Sequence, residues 1–419
     1  MFTIYNFGIY FYQWLIGLVA QFNPKASLWM SGRKDWEKNL KNALRKENNV
    51  IWFHAASLGE FEQGRPLIEK IKNEHKDVFI LLTFFSPSGY EIKKNYENAD
   101  YVCYLPADTQ QNAKKFLSIV KPKKVFFIKY EFWYNYLSEI KKRKIPLYLI
   151  SGLFRSQQIF FKSYGKWFLK QLTSFSKFYL QDKKSLELLQ NKGFDNAIVA
   201  GDTRFDRVIE IAEHPQNISA IKMFISENPC LVIGSSWPKD EKLLAEYIKQ
   251  HPNYKYILAP HQIDETHLKN IEEMLPNITQ RYSNYIKQPQ KQVSVLIIDN
   301  IGLLSSIYQY ADLAYIGGAF GTGLHNILEA AVYGIPVVFG PQYSKFQEAN
   351  DLIAQKAAFS ISNSTELFSV LNLLFEDKQE NQKIGKKAKS FIYKSQGAVD
   401  LIYTNIFKKI AQYNKSVSS

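Results

Sequence analysis

Two glutamates stand where short apolar runs end. Glu60 closes the stretch HAASLGE (54–60), which continues from Val50-Ile51-Trp52-Phe53, and Glu131 follows KVFFIKY (124–130). Ala55, Ala56, Ser57 and Gly59 leave space for another molecule to approach the backbone beside Glu60. A carboxylate in that space can act as a base, cap a helix or do nothing special. Glu131 can join it or pair with Lys129 or Arg155. Ser86 and Ser88, in Ser-Pro-Ser-Gly after a further apolar run, add small hydroxyls. Two carboxylates and small polar turns suit a partner with hydroxyls to be deprotonated. Arg204, in GDTRFD (201–206), lies near mid-chain and can help neutralise a departing phosphate.

A second group lies in LAYIGGAFGTGLHNILEAAVYGIPVVFG (313–340). An apolar run ends in Gly317-Gly318, a loop with Gly321 and Gly323 follows, and a helix is expected to begin near His325-Asn326 and carry Glu329. Loop glycines and free N–H groups at a helix start fit a nucleotide phosphate, and Glu329 can accept from ribose hydroxyls. Tight strand–helix packing is the alternative use of the glycines. Ser235-Ser236 and Glu241 end one strand and open the next helix, where they bind a ligand or cap that helix. Pro260-His261 and the turn Asp299-Asn300-Ile301-Gly302-Leu303 end two more strands. The glycines lack the dinucleotide spacing with its later acid. The chain has no Asp-x-Asp and no clustered Cys and His, so metal-dependent transfer is disfavoured. With neither G-x-S-x-G nor a Walker loop, hydrolase and kinase readings lose support.

The elements that must position these residues follow a rhythm. Short β-prone runs at 50–55, 78–85, 101–106, 124–130, 146–151 and 177–181 alternate with polar helical stretches. The rhythm pauses between 201 and 228 and restarts with runs at 229–236, 254–260, 293–299, 313–318, 336–340 and 357–362. This is the pattern of α/β structure, with two doubly wound parallel sheets, each covered by helices. Ligands of such sheets sit at the carboxyl ends of the strands, where every residue named above falls. A cleft between the two halves is the expected site.

The chain has 419 residues and a formal net charge of +14, from 53 Lys and Arg against 39 Asp and Glu. Such a surface attracts anions: nucleic acid, phosphorylated sugars or an anionic membrane. Without an Arg-rich tail, zinc spacing or RNA-binding aromatic signature, nucleic acid is not the expected partner. Cys103 and Cys230 lie far apart in apolar runs and read as buried thiols. Residues 1–22 carry no charged side chain, and Lys25, Arg33, Lys34, Lys38 and Lys41 follow. A membrane helix, spanning or interfacial, with the remainder on the cytoplasmic side is expected, and a buried first helix is the alternative.

Taken together, these motifs resemble the 3-deoxy-D-manno-octulosonate (Kdo) transferases over nearly the whole chain. The resemblance runs through SGRK (31–34), HAASLGE, FSPSGYE (85–91), YLPADT (104–109), KYEFWYN (129–135), GDTRFD and GGAFGTGLHNILEAA (317–331). It implies a GT-B fold: a membrane anchor at 1–24, an acceptor domain at 25–205 and a CMP-sugar domain at 206–419. It also implies transfer of Kdo from CMP-Kdo to the lipid A precursor in lipopolysaccharide synthesis, without a metal, at the cytoplasmic face of the inner membrane. Glu60 is then the general base, with Glu131 and Arg204 in support and Ser57, Gly59, Ser86 and Ser88 near the acceptor. Donor contacts fall to Ser235, Ser236, Glu241, Pro260, His261, Ile301, Gly302, Leu303, Gly318, His325, Asn326, Ile327, Leu328 and Glu329. A GT-B enzyme using a UDP-sugar and a sugar-nucleotide epimerase are the rival readings. The chain departs from the family's pattern in four places. Arg204 stands for a lysine, Pro260-His261-Gln262 for Pro-Arg-His, Leu303 for a glutamate, and Lys129 for an acid.

Overall fold

Apolar strands buried on both faces need helices on both sides, and the computed structural model, which describes residues 1–290, 292–321 and 323–408, is built that way. The first sheet contains β1 (Val50–Ala55), β2 (Phe79–Phe84), β3 (Tyr101–Tyr104), β4 (Lys124–Ile128), β5 (Leu147–Gly152), β6 (Lys177–Leu180) and β7 (Ala197–Val199). Its order is β3-β2-β1-β4-β5-β6-β7, with parallel pairing. Along β1 the side chains alternate. Val50 and Trp52 enter one core, and Ile51, Phe53 and Ala55 enter the other. His54 therefore falls on the Trp52 face.

The helix Leu58–Glu74 follows β1 directly. Gly64 lets it approach the sheet, since a Cβ there would stand 2.2 Å from the Ile128 side chain. Glu60 is thereby held at the carboxyl edge of the sheet. The sheet reverses direction of progression between β1 and β4, and both glutamates follow those two strands.

The second sheet contains β8 (Cys230–Ser236), β9 (Lys255–Pro260), β10 (Thr279–Arg281), β11 (Val295–Ile297), β12 (Leu313–Ile316), β13 (Val337–Phe339) and β14 (Ala358–Ser360). Its order is β10-β11-β9-β8-β12-β13-β14, again with parallel pairing. Two strands escape the sequence pattern, β7 and β10. Each has three residues and lies at a sheet edge. The chain divides into Met1–Asp206 with Gly397 onward, and Arg207–Gln396. The last described helices thus belong with the first unit, not the second as the sequence order implied. Val399, Ile402, Tyr403 and Ile406 pack into its core beside Ile51 and Phe53.

The expectation of a spanning anchor needs correction. Among the described residues no helix is long and apolar enough to cross a membrane. The first helix, α1 (Phe2–Val19), has 18 residues. That is about 27 Å of rise, against a hydrocarbon core of about 30 Å. It also carries Thr3, Asn6 and Gln13. Its polar groups engage the first unit. Tyr5 donates to Asp108 at 2.6 Å, and Asn135 donates to Asn6 at 3.0 Å. The second helix, α2 (Pro24–Ser31), leads to Arg33, whose guanidinium donates to the carbonyls of Trp29, Phe85 and Leu105. It also stacks over the Trp29 ring at 3.8 Å. Burial pushes the Arg33 pKa down to about 9. Phe7, Phe11, Trp14 and Phe22 remain exposed.

Candidate active site

At the carboxyl edge of the first sheet, Glu60 is the third residue of its helix and closes a capping box. The Ser57 N–H donates to its Oε2 at 2.9 Å, and the Ser57 hydroxyl lies 3.1 Å from the same oxygen. Capping and chemistry are therefore not alternatives at this position, because one oxygen serves the helix and the other remains beside the turn. Burial, and then the charge of Glu131, raise the Glu60 pKa above the usual carboxylate range. Ser57, His54 and Lys129 act in the opposite direction. The two glutamates thus share one electrostatic site. Lys129, just before Tyr130 and Glu131, holds a left-handed backbone at φ 66°. Ser86 caps the helix Pro87–Lys93, and its hydroxyl lies 3.0 Å from that of Ser88. Gly59 is exposed beside Glu60.

Glu131 is buried; its Oε2 lies 2.9 Å from His54 Nε2 and accepts from the Trp133 indole N–H. The other ring nitrogen of His54 faces Thr83. His54 was missed as a site residue. Its signal was there: strand alternation puts it on one face with Trp52, one residue before the small-residue turn. Arg204 is engaged too. Its guanidinium donates twice to Asp202, at 2.7 and 2.9 Å, and Asp202 also accepts from the Arg204 backbone.

In the second unit the Gly317-Gly318 turn is fixed by Asp240, a residue that sequence reasoning passed over for its neighbour Glu241. Asp240 is fully buried and accepts from the N–H groups of Trp237 and Gly318 and from the Tyr315 hydroxyl, at 3.0, 2.9 and 2.8 Å. Burial raises its pKa against these three donors. Gly317 cannot carry a side chain, because a Cβ would lie 2.4 Å from the Ser235 carbonyl. Gly318 has φ 95° and Ser235 φ 52°, where β8 shifts register. Glu241 faces inward. Its oxygens meet the Ser236 hydroxyl and His267 Nε2, both at 2.8 Å, so Ser236 and Glu241 serve the fold where ligand contact was expected.

The expected helix at His325 is also different. It covers Leu328–Ala331 only, and Asn326 caps it by accepting from the Leu328 N–H while donating to Glu329 at 2.9 Å. One turn carries little dipole, and its first N–H is taken. In place of a helix terminus, the strand ends bring three rings together. Trp237 stacks on His261 at 4.7 Å, and His261 lies 4.5 Å from His325. The Trp237 indole donates to His325 Nε2 at 3.1 Å, which leaves the His325 proton on Nδ1. Burial, and then His261, push the His325 pKa down to about 4, and burial lowers that of His261. Pro260 ends β9 beside this stack. Ile327 and Leu328 are buried under the loop, whereas Ile301 and Gly302 are exposed with Leu303 partly so. Among the described residues no three His, Cys, Asp or Glu side chains gather around one point.

Residues 34–207, which contain Glu60, Glu131 and Arg204, match the family model of 3-deoxy-D-manno-octulosonic-acid transferase (kdotransferase). A 3-deoxy-D-manno-octulosonic acid transferase of Aquifex aeolicus is 27% identical over 350 residues, covering 81% of this chain and 90% of that protein. These matches support the Kdo transferase family. The homologues support a glycosyltransferase, and the two parallel-sheet units match solved structural neighbours. UDP-GlcNAc 2-epimerase from Neisseria meningitidis aligns with a TM-score of 0.62 at 15% identity, over 86% of this chain and 100% of its own. MurG from Acinetobacter baumannii aligns with a TM-score of 0.52 at 13% identity, over 86% and 99%. These two likenesses establish the GT-B type of fold and say nothing of the substrate.

Proposed function

We propose that this Kdo transferase moves Kdo from CMP-Kdo to the lipid A precursor, lipid IVA, with inversion, in the inner core of lipopolysaccharide. The observation that carries the reading is the partly buried Glu60, held by its own helix cap at the carboxyl edge of a matched family domain. Glu60 takes the proton of an acceptor hydroxyl as its oxygen attacks the anomeric carbon and CMP leaves. Positive charge develops at that carbon, as in other glycosyl transfers, and Glu131 stands with Glu60 at the same sheet edge. Ser57, Gly59, Ser86 and Ser88 border the acceptor. The ring stack of Trp237, His261 and His325 offers flat faces to a cytosine and one imidazole N–H to a phosphate. Arg204 balances the departing CMP, with no metal in the scheme.

The test is mass spectrometry of lipid IVA after incubation with the protein and CMP-Kdo generated in place, with and without EDTA. A gain of one or more Kdo units in both arms is expected. No gain, with CMP still bound, transfers the reading to another sugar or acceptor.

The acceptor lies in a membrane, so the enzyme must meet a surface. The exposed Phe7, Phe11 and Trp14 of α1 and the net charge of +14 suit an interfacial helix on an anionic cytoplasmic leaflet. Replacing all three rings by serine is expected to cut binding to vesicles containing phosphatidylglycerol at least tenfold, since each aromatic ring removed from an apolar phase costs roughly 1.5–3 kcal/mol. Co-sedimentation measures it, and unchanged binding removes α1 from this role.

A further inference from the structure

The hydrogen bonds around His54 fix its protons. The Thr83 hydroxyl donates to the Phe53 carbonyl and accepts from the Trp52 indole, at 3.2 and 2.8 Å. His54 Nδ1 lies 2.9 Å from that hydroxyl oxygen and 3.1 Å from the Thr83 carbonyl. Both are acceptors toward it, so Nδ1 carries a hydrogen. On the other side, Nε2 stands 2.9 Å from Glu131 Oε2. A bare nitrogen lone pair against a bare carboxylate oxygen would bury two acceptors face to face, which is costly in a site where both residues are below 5% exposed. The Trp133 N–H, which reaches Glu131 and stands 3.2 Å from Nε2, cannot by itself satisfy both.

We infer that His54 and Glu131 hold one proton between them and form a charge-neutral pair, so that Glu60 ionises beside a neutral neighbour and not beside a second free carboxylate. Written as imidazolium–carboxylate or as imidazole–carboxylic acid, the pair has the same net charge. The inference rests on Glu60 being the base and adds His54 as a positioning residue that acts through Glu131. The other groups facing Glu60 are Ser57 on its own turn and Lys129 and Tyr130 from the end of β4. Those facing His54 are Thr83 from β2 and Glu131 and Trp133 from beyond β4.

His54→Gln keeps a hydrogen-bonding side chain and removes the pair's proton-binding ring. Glu131 then stands as an uncompensated carboxylate near Glu60. The acid limb of the kcat/KM profile is expected to move to higher pH, with activity at pH 6 falling about tenfold more than at pH 8. In the double variant with Glu131→Gln the limb should return toward its wild-type position, whatever the plateau. A loss equal at every pH, with the limb unmoved, overturns the inference, since that is what a purely structural His54 gives. Nitrogen-15 NMR of histidine-labelled wild-type protein tests the pair without any substitution. A protonated Nδ1 in His54 is expected together with a second proton on either Nε2 or, by carboxyl carbon-13 shift, Glu131, and a bare Nε2 opposite an ionised Glu131 overturns the pair. If Glu60→Gln retains transfer, the base assignment falls, while the NMR result still decides the proton count.

Discussion

Glu60→Gln is expected to lower kcat/KM for Kdo transfer by roughly 10²- to 10⁴-fold, the usual contribution of a positioned general base. The substitution is unusually clean here. Glutamine is the other residue that completes a capping box, so the Ser57 N–H keeps an acceptor and the Leu58–Glu74 helix keeps its start. What disappears is proton affinity. Folding stability should hardly change. The folded-state pKa of Glu60 is raised, so its carboxylate form is disfavoured by folding, and any stability it contributes is lost as pH rises through that value. At neutral pH the variant is therefore expected to melt at or slightly above the wild-type temperature while failing to turn over. In the wild-type enzyme the base must be ionised, so activity falls as pH drops through the raised pKa. Steady-state rates across pH, read beside thermal melts, check both halves. Full activity in a well-folded Glu60→Gln protein removes the proposed base.

Asp240→Ala is expected to have the largest effect on stability. Removing the carboxylate leaves the Trp237 and Gly318 N–H groups and the Tyr315 hydroxyl without their acceptor inside the protein. Each stranded buried donor costs about 1–3 kcal/mol, so a loss of about 3 kcal/mol or more is expected in chemical denaturation of the second unit. The Gly317-Gly318 turn is held by that carboxylate on one side and by the Ser235 backbone on the other. Its loosening also displaces Trp237 from the ring stack. Binding of CMP should weaken with it, which calorimetry measures. Asp240→Asn restores an acceptor but turns an amide N–H₂ toward donors, so it should fall between the two. A change below about 1 kcal/mol in Asp240→Ala would mean that water replaces the lost acceptor without penalty.

Much of the fold was legible because a parallel sheet announces itself. Runs such as VIWF (50–53) and CLVIG (230–234) are apolar without interruption, and polar helices separate most of them. The two short edge strands and the C-terminal return were not legible. The β10 residues Thr279-Gln280-Arg281 are polar, and no local signal in Val399 or Ile402 tells which of two cores they enter. The N-terminal segment was legible as a helix but not as spanning, interfacial or buried, because its polar atoms find partners such as Asp108 only in three dimensions. At the site, Glu60, Glu131, His261 and His325 stood out by type and position. Asp240 did not, because a buried acid that holds a backbone turn looks in sequence like any acid in a first helical turn. Glu241, one residue on, has the same appearance and different partners, Ser236 and His267. His54 was hidden in the motif of its more conspicuous neighbour.

The return of the chain to the first unit bears on how the protein is made. A ribosome delivers Met1–Asp206 first, then the whole of the second unit, and only afterwards the residues from Gly397 that complete the first core. Until then the strip that Val399, Ile402, Tyr403 and Ile406 will cover lies open beside Ile51, Phe53 and Ile68. The nascent first unit waits with an apolar flank exposed through some two hundred residues of synthesis, roughly 10–40 s at ordinary elongation rates. It is during that interval, not in the finished enzyme, that this chain most needs a chaperone.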